Sequence, residues 1–132
     1  MRISLSMMFG AVIVAGLSAP TAALADGDAV AGAKVFKKCA ACHVATEAKN
    51  RVGPYLMGVV DRPVASVEGY KYSKAMTEHA AEVPVWTEEA LATYLHDPKG
   101  VVKGTKMAFA GLKKDDDIAN VIAYLKDPAA AE

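Results

Sequence analysis

The run from Cys39 to His43 constrains this chain more than any other feature of its sequence. It reads Cys-Ala-Ala-Cys-His, and Cys-x-x-Cys-His is the attachment signature of a c-type haem. Two cysteines three positions apart lie on one face of about one helical turn, which matches two neighbouring vinyl groups on a porphyrin edge. The motif therefore predicts one haem, attached covalently through Cys39 and Cys42, with His43 as an iron ligand.

A Cys-x-x-Cys pair without the histidine also occurs in redox disulfides and in zinc sites. This chain contains 2 cysteines in all, so a second cysteine pair for a tetrahedral zinc site is absent from the sequence. Its histidines are also too far apart to complete such a site. We therefore interpret the motif as a haem attachment site.

The N-terminus has the pattern of a secretory signal peptide. Arg2 is the only charged residue before Asp26, residues 7–17 are apolar, and Ala23-Leu24-Ala25 is a small-x-small cleavage site. The apolar stretch is shorter than the roughly 20 residues that span a bilayer. We expect residues 1–25 to be removed after Ala25, although an uncleaved membrane anchor is the alternative. Residues 26–132 would then form one small domain in the periplasm.

The charges are balanced, with 15 Lys+Arg against 15 Asp+Glu. The absence of a strong basic field argues against nucleic acid as a partner. Lysines nevertheless lie beside the haem motif and in a later loop, and these can be an ordinary solvated surface or a docking surface for acidic partners. The docking candidates are Lys37, Lys38, Lys99, Lys103 and Lys106.

Apolar periodicity and capping residues predict three main helices and few other regular elements. The first runs from about Asp28 into the haem motif, the second from Thr87 to Pro98, and the third follows the acidic residues 115–117 and ends at Asp127. A short helix is expected to begin at Ser73. Loops marked by Gly and Pro join these helices, and such long loops suit the wrapping of a flat cofactor. The predicted class is all-α, with loops wrapped around one covalently bound haem.

A second iron ligand would restrict the haem to electron transfer, whereas an open site would permit small-ligand binding or peroxidase activity. The candidates after the signal peptide are Met57, Met76, Met107, His79 and His96. Met107 lies in the loop between the second and third helices, which can cross the opposite face of the haem. We predict Met107 as this ligand, with a histidine as the main competitor.

With both motifs placed, the chain resembles class I c-type cytochromes of the mitochondrial cytochrome c kind, and most of all the bacterial cytochrome c2 group. The resemblance covers residues 26–126 and implies the small cytochrome c fold. It rests on anchors that occur in order, namely Gly32, Phe36, 39–43, Gly53-Pro54, Arg62, 70–73, Trp86, Tyr94-Leu95, Pro98-Lys99, 104–111 and 122–125.

The resemblance implies two contacts that tune the iron ligands. The Pro54 carbonyl would accept a hydrogen bond from the His43 ring, which fixes the tautomer and raises the basicity of the imidazole. The Tyr94 hydroxyl would lie near the Met107 sulfur. The pair Gly32 and Phe36 is implied to pack against the last helix.

The resemblance also implies how the haem propionates are bound. Tyr72 and Trp86 would hydrogen-bond the buried propionate, and Arg62 would offset its charge. Thr105 would reach the other propionate.

Three positions depart from the family pattern. Lys103 stands where a proline usually precedes Gly-Thr-Lys-Met, Asp61 where a glycine commonly precedes the arginine, and Tyr55 where an asparagine commonly follows Gly-Pro. Without the proline we expect the Met107 loop to be less rigid and its iron–sulfur bond to be more easily displaced.

The resemblance implies a monomeric one-electron carrier and not an enzyme. It would shuttle electrons between membrane or periplasmic redox complexes, docking at the exposed haem edge. One alternative is a haem enzyme or a gas or peroxide sensor with a displaceable sixth ligand. Another is a fixed cytochrome subunit of a larger oxidoreductase.

Overall fold

A computed structural model describes residues 26–132, in which the regular structure is helical. The helices are α1 (Ala29–Phe36), α2 (Lys74–Glu82), α3 (Glu88–His96), α4 (Pro98–Val101) and α5 (Asp115–Lys126), followed by a 3-10 turn at Pro128–Ala131. Within these residues strands are absent, and one isolated antiparallel bridge joins Pro63 to Val85. The all-α prediction is confirmed. The predicted signal peptide at residues 1–25 lies outside the described residues.

Capping side chains fix the starts of the first three helices. Each cap accepts a hydrogen bond from the backbone N–H three residues later, and the caps are Asp28 for α1, Ser73 for α2 and Thr87 for α3. Such a bond satisfies one of the donors that the first turn of a helix leaves unpaired. At α5 the acidic residues 115–117 form the first turn itself, where negative charge is favourable.

The end of α1 and the start of α4 differ from the prediction. Helix α1 ends at Phe36 instead of continuing into the haem motif. The chain there forms tighter turns, closed by hydrogen bonds between residues three apart, such as the one from Cys39 N to Phe36 O at 2.7 Å. Pro98 ends α3 as expected but also begins α4. A proline suits the first position of a helix because its φ is already helical, and the Asp97 side chain caps the new helix at Gly100 N.

The first and last helices cross at a point where only glycine fits. A Cβ atom on Gly32 would lie 1.9 Å from the Asn120 carbonyl oxygen, so the two backbones are in direct contact. Beside this crossing the rings of Phe36 and Tyr124 are 5.1 Å apart. The Asn120 side chain also accepts a hydrogen bond from Asp28 N at 2.8 Å, across 92 positions of sequence. The implied packing of Gly32 and Phe36 against the last helix is present.

The core continues from the helices into the loops. Buried apolar residues outside the helices include Ala45, Val59, Val64, Val67, Val102 and Leu112. These residues hold the irregular segments 44–73 and 102–114 against the helices, so the loops that carry the candidate site residues are packed in place. Between residues 26 and 132, every helix is too short or too polar to cross a bilayer.

Candidate haem site

The Cys-x-x-Cys-His motif lies in consecutive hydrogen-bonded turns. His43 N donates to Cys39 O at 2.9 Å, and Cys42 N donates to the same oxygen at 3.0 Å. Both cysteines are half-buried, and they form no disulfide with each other. Before haem attachment, burial raises the pKa of the Cys39 thiol more than the nearby Lys38 lowers it.

The His43 ring is held in one orientation by the backbone. Its Nδ1 atom lies 2.7 Å from the Pro54 carbonyl oxygen, and because a carbonyl can only accept, Nδ1 carries the proton. Burial lowers the pKa of His43, which favours the neutral imidazole, while the Pro54 bond opposes that shift. A neutral imidazole protonated at Nδ1 leaves the Nε2 lone pair free for a metal.

Gly53 brings the backbone directly against this ring. A Cβ atom there would lie 2.3 Å from His43 Cε1, a distance at which another residue would displace the ring or the loop. Two backbone hydrogen bonds flank the contact, from Gly53 N to Cys42 O at 2.9 Å and from Leu56 N to Val44 O at 2.7 Å. Sequence reasoning marked Gly53-Pro54 as an anchor but did not identify this close approach.

Met107 lies in a second group of contacts, built on α3 and the loop after α4. The Tyr94 hydroxyl is 3.9 Å from the Met107 sulfur, and Met107 N donates to the Thr105 hydroxyl at 3.2 Å. Burial raises the pKa of Tyr94, against the hydrogen bond that it shares with Thr105, so the phenol stays protonated as a donor. The Met107 side chain is half-buried and packs against the hydrophobic core.

The loop before Met107 keeps a tight turn in spite of Lys103. Thr105 N donates to Val102 O at 3.0 Å, and Gly104 has φ of 87°. A positive φ at the third residue is typical of a type II turn, in which Lys103 takes the second position. The Lys106 ammonium further ties the loop to the Lys71 carbonyl at 3.1 Å.

Arg62 is half-buried, and among residues 26–132 its side chain forms hydrogen bonds only through its two terminal nitrogens. Its two terminal NH groups donate to the Met57 and Tyr55 carbonyls at 3.2 and 3.1 Å, and its guanidinium lies 5.2 Å from the centre of the Tyr55 ring. Burial lowers the pKa of Arg62. The preceding Asp61 has φ of 63°, the left-handed conformation that glycine adopts most easily, so the aspartate holds this conformation at the cost of strain.

Two further aromatic side chains lie in this region. The Trp86 side chain is buried, with its ring 5.0 Å from the Tyr94 ring. The Tyr72 hydroxyl accepts a hydrogen bond from Val67 N at 3.1 Å, and burial raises the pKa of Tyr72. A phenol that accepts in this way can still donate its proton to a second partner.

One buried nitrogen without a hydrogen-bond partner tests whether this region suits a haem. Arg62 Nε is buried and has no hydrogen-bond partner among residues 26–132. A buried donor without a partner is costly, so the site calls for an acceptor that these residues do not supply. A haem propionate is such an acceptor. Together with two thiols, a neutral imidazole and a thioether, the side chains fit a covalently attached haem.

The other ligand candidates lie in less suitable places. Met57 is 41% exposed, and the His96 side chain is exposed at the end of α3. Met76 packs against the core, and His79 lies against the Trp86 ring, 5.9 Å away. All of the candidate docking lysines are exposed, namely Lys37, Lys38, Lys99, Lys103 and Lys106.

Comparison with known proteins finds relatives over most of the chain. Residues 29–128 match the family model described as Cytochrome c. A cytochrome c-550 of Ancylobacter novellus is 51% identical over 72% of this chain and 90% of its own length. A cytochrome c2 of Rhodospirillum rubrum is 48% identical over 87% of this chain and 91% of its own length. The solved structure of cytochrome cH from Methylobacterium extorquens superposes with a TM-score of 0.69 at 42% identity, covering 76% of this chain and 98% of that one.

Proposed function

Because this chain belongs to the cytochrome c family and carries a covalently bound haem c, we propose that it shuttles single electrons between membrane or periplasmic redox complexes. It is an electron-transfer cytochrome and not an enzyme. Two contacts carry the proposal: the hydrogen bond from the His43 ring to the Pro54 carbonyl, and the Tyr94 hydroxyl beside the Met107 sulfur.

We propose that His43 and Met107 are the two residues that would bind the haem iron. His43 is supported by its Nδ1 bond to Pro54, which leaves Nε2 as the only nitrogen able to bind metal. Met107 is supported by the Tyr94 hydroxyl beside its sulfur. Its loop is also held in place by a hydrogen bond to Thr105 and by packing against the core. With both residues bound to the iron, little would reorganise when one electron moves, which suits a carrier.

The remaining site residues are proposed to bind the propionates. The unpaired Arg62 Nε supports a role for this side chain at the buried propionate, next to Tyr72 and Trp86. Thr105 is proposed for the other propionate. When bound, the haem supplies a one-electron couple, and a thioether ligand with an apolar surrounding favours its reduced state.

The visible spectrum tests the ligand assignment. We expect the ferric protein to show the methionine–sulfur charge-transfer band, and we expect Met107→Ala to abolish it. The matched control is Met57→Ala, which removes an exposed methionine and should leave the band unchanged. Survival of the band in Met107→Ala would show that another residue ligates the iron.

Partner docking is proposed to use the exposed lysines of 37–38 and 99–106. Lysines on a small redox interface, below about 1,200 Å², steer encounters with acidic partner surfaces. We expect reaction with an acidic redox partner to slow as salt rises, and Lys38→Gln with Lys99→Gln to weaken that dependence. The control Lys113→Gln changes a lysine outside this set. A rate indifferent to ionic strength would remove the steering role.

Export and processing are the remaining part of the proposal. Residues 1–25 are proposed as a signal peptide that is cut after Ala25, which would place residues 26–132 in the periplasm. We propose that residues 26–132 act there as a monomer. Mass spectrometry of the periplasmic fraction tests this: the expected N-terminal residue is Asp26. A protein that keeps residues 1–25 and sediments with membranes would indicate an uncleaved anchor.

A further inference from the structure

The peptide unit between Pro54 and Tyr55 is hydrogen-bonded at both of its ends. Its carbonyl accepts from His43 Nδ1 at 2.7 Å, and its N–H donates to the Asn50 side-chain oxygen at 3.1 Å. In a trans peptide the C=O and N–H point in opposite directions, so the two bonds lie in one line of dipoles. A change at Asn50 therefore reaches His43 through a single amide.

The Asn50 side chain continues this line to a second loop. Its Nδ2 atom donates to the Glu68 carbonyl at 3.4 Å, while its Oδ1 atom accepts from Tyr55. The two partners fix the orientation of the amide, because a carbonyl cannot donate and a backbone N–H cannot accept. Three bonds thus run in series from Glu68 to the imidazole, and bonds in such a chain polarise one another.

We propose that Asn50 is a positioning residue that sets the strength of the hydrogen bond from His43 to Pro54. The inference rests on the proposed role of His43 as an iron ligand. Accepting the Tyr55 N–H draws electron density toward the Pro54 carbonyl oxygen, which makes that oxygen a stronger acceptor. A stronger acceptor gives the imidazole more imidazolate character, and a more basic ligand stabilises the ferric state.

The direction of the change in reduction potential follows from this series of hydrogen bonds. Without the Asn50 acceptor, the Pro54 carbonyl accepts more weakly, the ferric state loses stabilisation, and the reduction potential rises. Asn50 is exposed, so water can bond the freed Tyr55 N–H in part. We therefore expect about a threefold shift of the reduction equilibrium, which is roughly 28 mV at 59 mV per tenfold for one electron.

Two substitutions distinguish the two hydrogen bonds of Asn50, the one that it accepts from Tyr55 N and the one that it donates to the Glu68 carbonyl. Asn50→Leu removes both hydrogen bonds, whereas Asn50→Asp keeps an acceptor for Tyr55 N and loses only the donor to Glu68. The control Tyr70→Phe removes the other bond between the same loops, from the Tyr70 hydroxyl to the Val52 carbonyl at 3.0 Å, without touching the Pro54–Tyr55 peptide.

The experiment measures the reduction potential and the His43 Nδ1–H proton resonance of each haem-loaded variant. Asn50→Leu should raise the potential and move the Nδ1–H resonance upfield. The carboxylate of Asn50→Asp should hold the potential at or below the wild-type value, and Tyr70→Phe should leave both readouts unchanged. An unchanged potential in Asn50→Leu, or the same rise in all three variants, would overturn the inference.

The wild-type protein, measured alongside, separates this inference from the proposed function. A reversible one-electron couple with His/Met spectra supports the carrier whatever the Asn50 variants do. A wild-type spectrum without histidine ligation would overturn both.

Discussion

Replacing Gly53 with alanine is the sharpest test of how the backbone holds His43. The new Cβ would lie 2.3 Å from His43 Cε1, and ordinary contact begins at 3.4 Å, so the ring and the loop must separate by about 1.1 Å (3.4 minus 2.3). The His43–Pro54 bond is 2.7 Å long and cannot survive a displacement of that size along its own direction.

The magnitude of Gly53→Ala follows from three contributions. Overpacking costs about 1–3 kcal/mol, and loss of the His43–Pro54 bond costs about 0.5–1.5 kcal/mol. Alanine restricts the unfolded chain, which returns about 0.4–1 kcal/mol. We therefore expect a net loss near 2 kcal/mol, a fall in Tm of roughly 10 °C for a domain of this size.

Denaturant unfolding and the His43 Nδ1–H resonance together measure this effect. The matched control is Gly69→Ala: Gly69 has φ of 73° and open space around it, so alanine there is strained without meeting His43. It should lower stability by about 1 kcal/mol while leaving the Nδ1–H resonance unchanged. Wild-type stability and an unshifted resonance in Gly53→Ala would refute the close-contact reasoning.

Three further substitutions test other parts of the structure. Tyr94→Phe removes a donor to the Met107 sulfur, so the thioether donates more strongly to ferric iron and the reduction potential should fall; a potential equal to or above wild type would contradict this. Lys103→Pro occupies the second position of a type II turn and should stabilise the protein by about 0.4–1 kcal/mol in denaturant unfolding; a loss would show that the turn cannot take proline. Glu88→Gln removes the partner that raises the pKa of Lys126 above 10.5. Because a raised pKa stabilises the fold only while the lysine is protonated, wild type should melt higher than Glu88→Gln near pH 8, and the gap should close as the pH rises through that pKa.

Local signals predicted the helices well because each signal acts within one turn. Thr87 and Ser73 cap α3 and α2 as expected, since a side-chain oxygen reaches an N–H three residues away whatever the rest of the chain does. The predicted end of α1 is too late in the sequence, because helical periodicity does not distinguish a helix from the tighter turns that follow Phe36. The start of α4 at Pro98 is not predicted from the sequence, because a proline there is also the signal that α3 ends.

The candidate site likewise contains residues that the sequence predicts and contacts that it does not predict. Cys39, Cys42 and His43 are predictable because the chemistry requires their spacing in sequence. The contacts around Gly53 and Asn50 were not identified, since they depend on how segment 50–56 folds back on the motif. Asp61 shows the limit of comparison by residue type: a position that favours glycine can hold an aspartate in the same left-handed conformation.

The crossing of α1 and α5 has a consequence for how the chain could be rewired. Asp28 and Asn120 are 92 positions apart in sequence yet joined by a hydrogen bond, and Gly27 lies against the backbone of Ala119. The beginning and end of the domain are therefore neighbours in space. A circular permutant that joins 132 to 26 and opens an exposed loop would turn this long-range contact into a local one. The loop-closure entropy of the α1–α5 contact would shrink accordingly, and we expect these two helices, now adjacent in sequence, to dock early in folding.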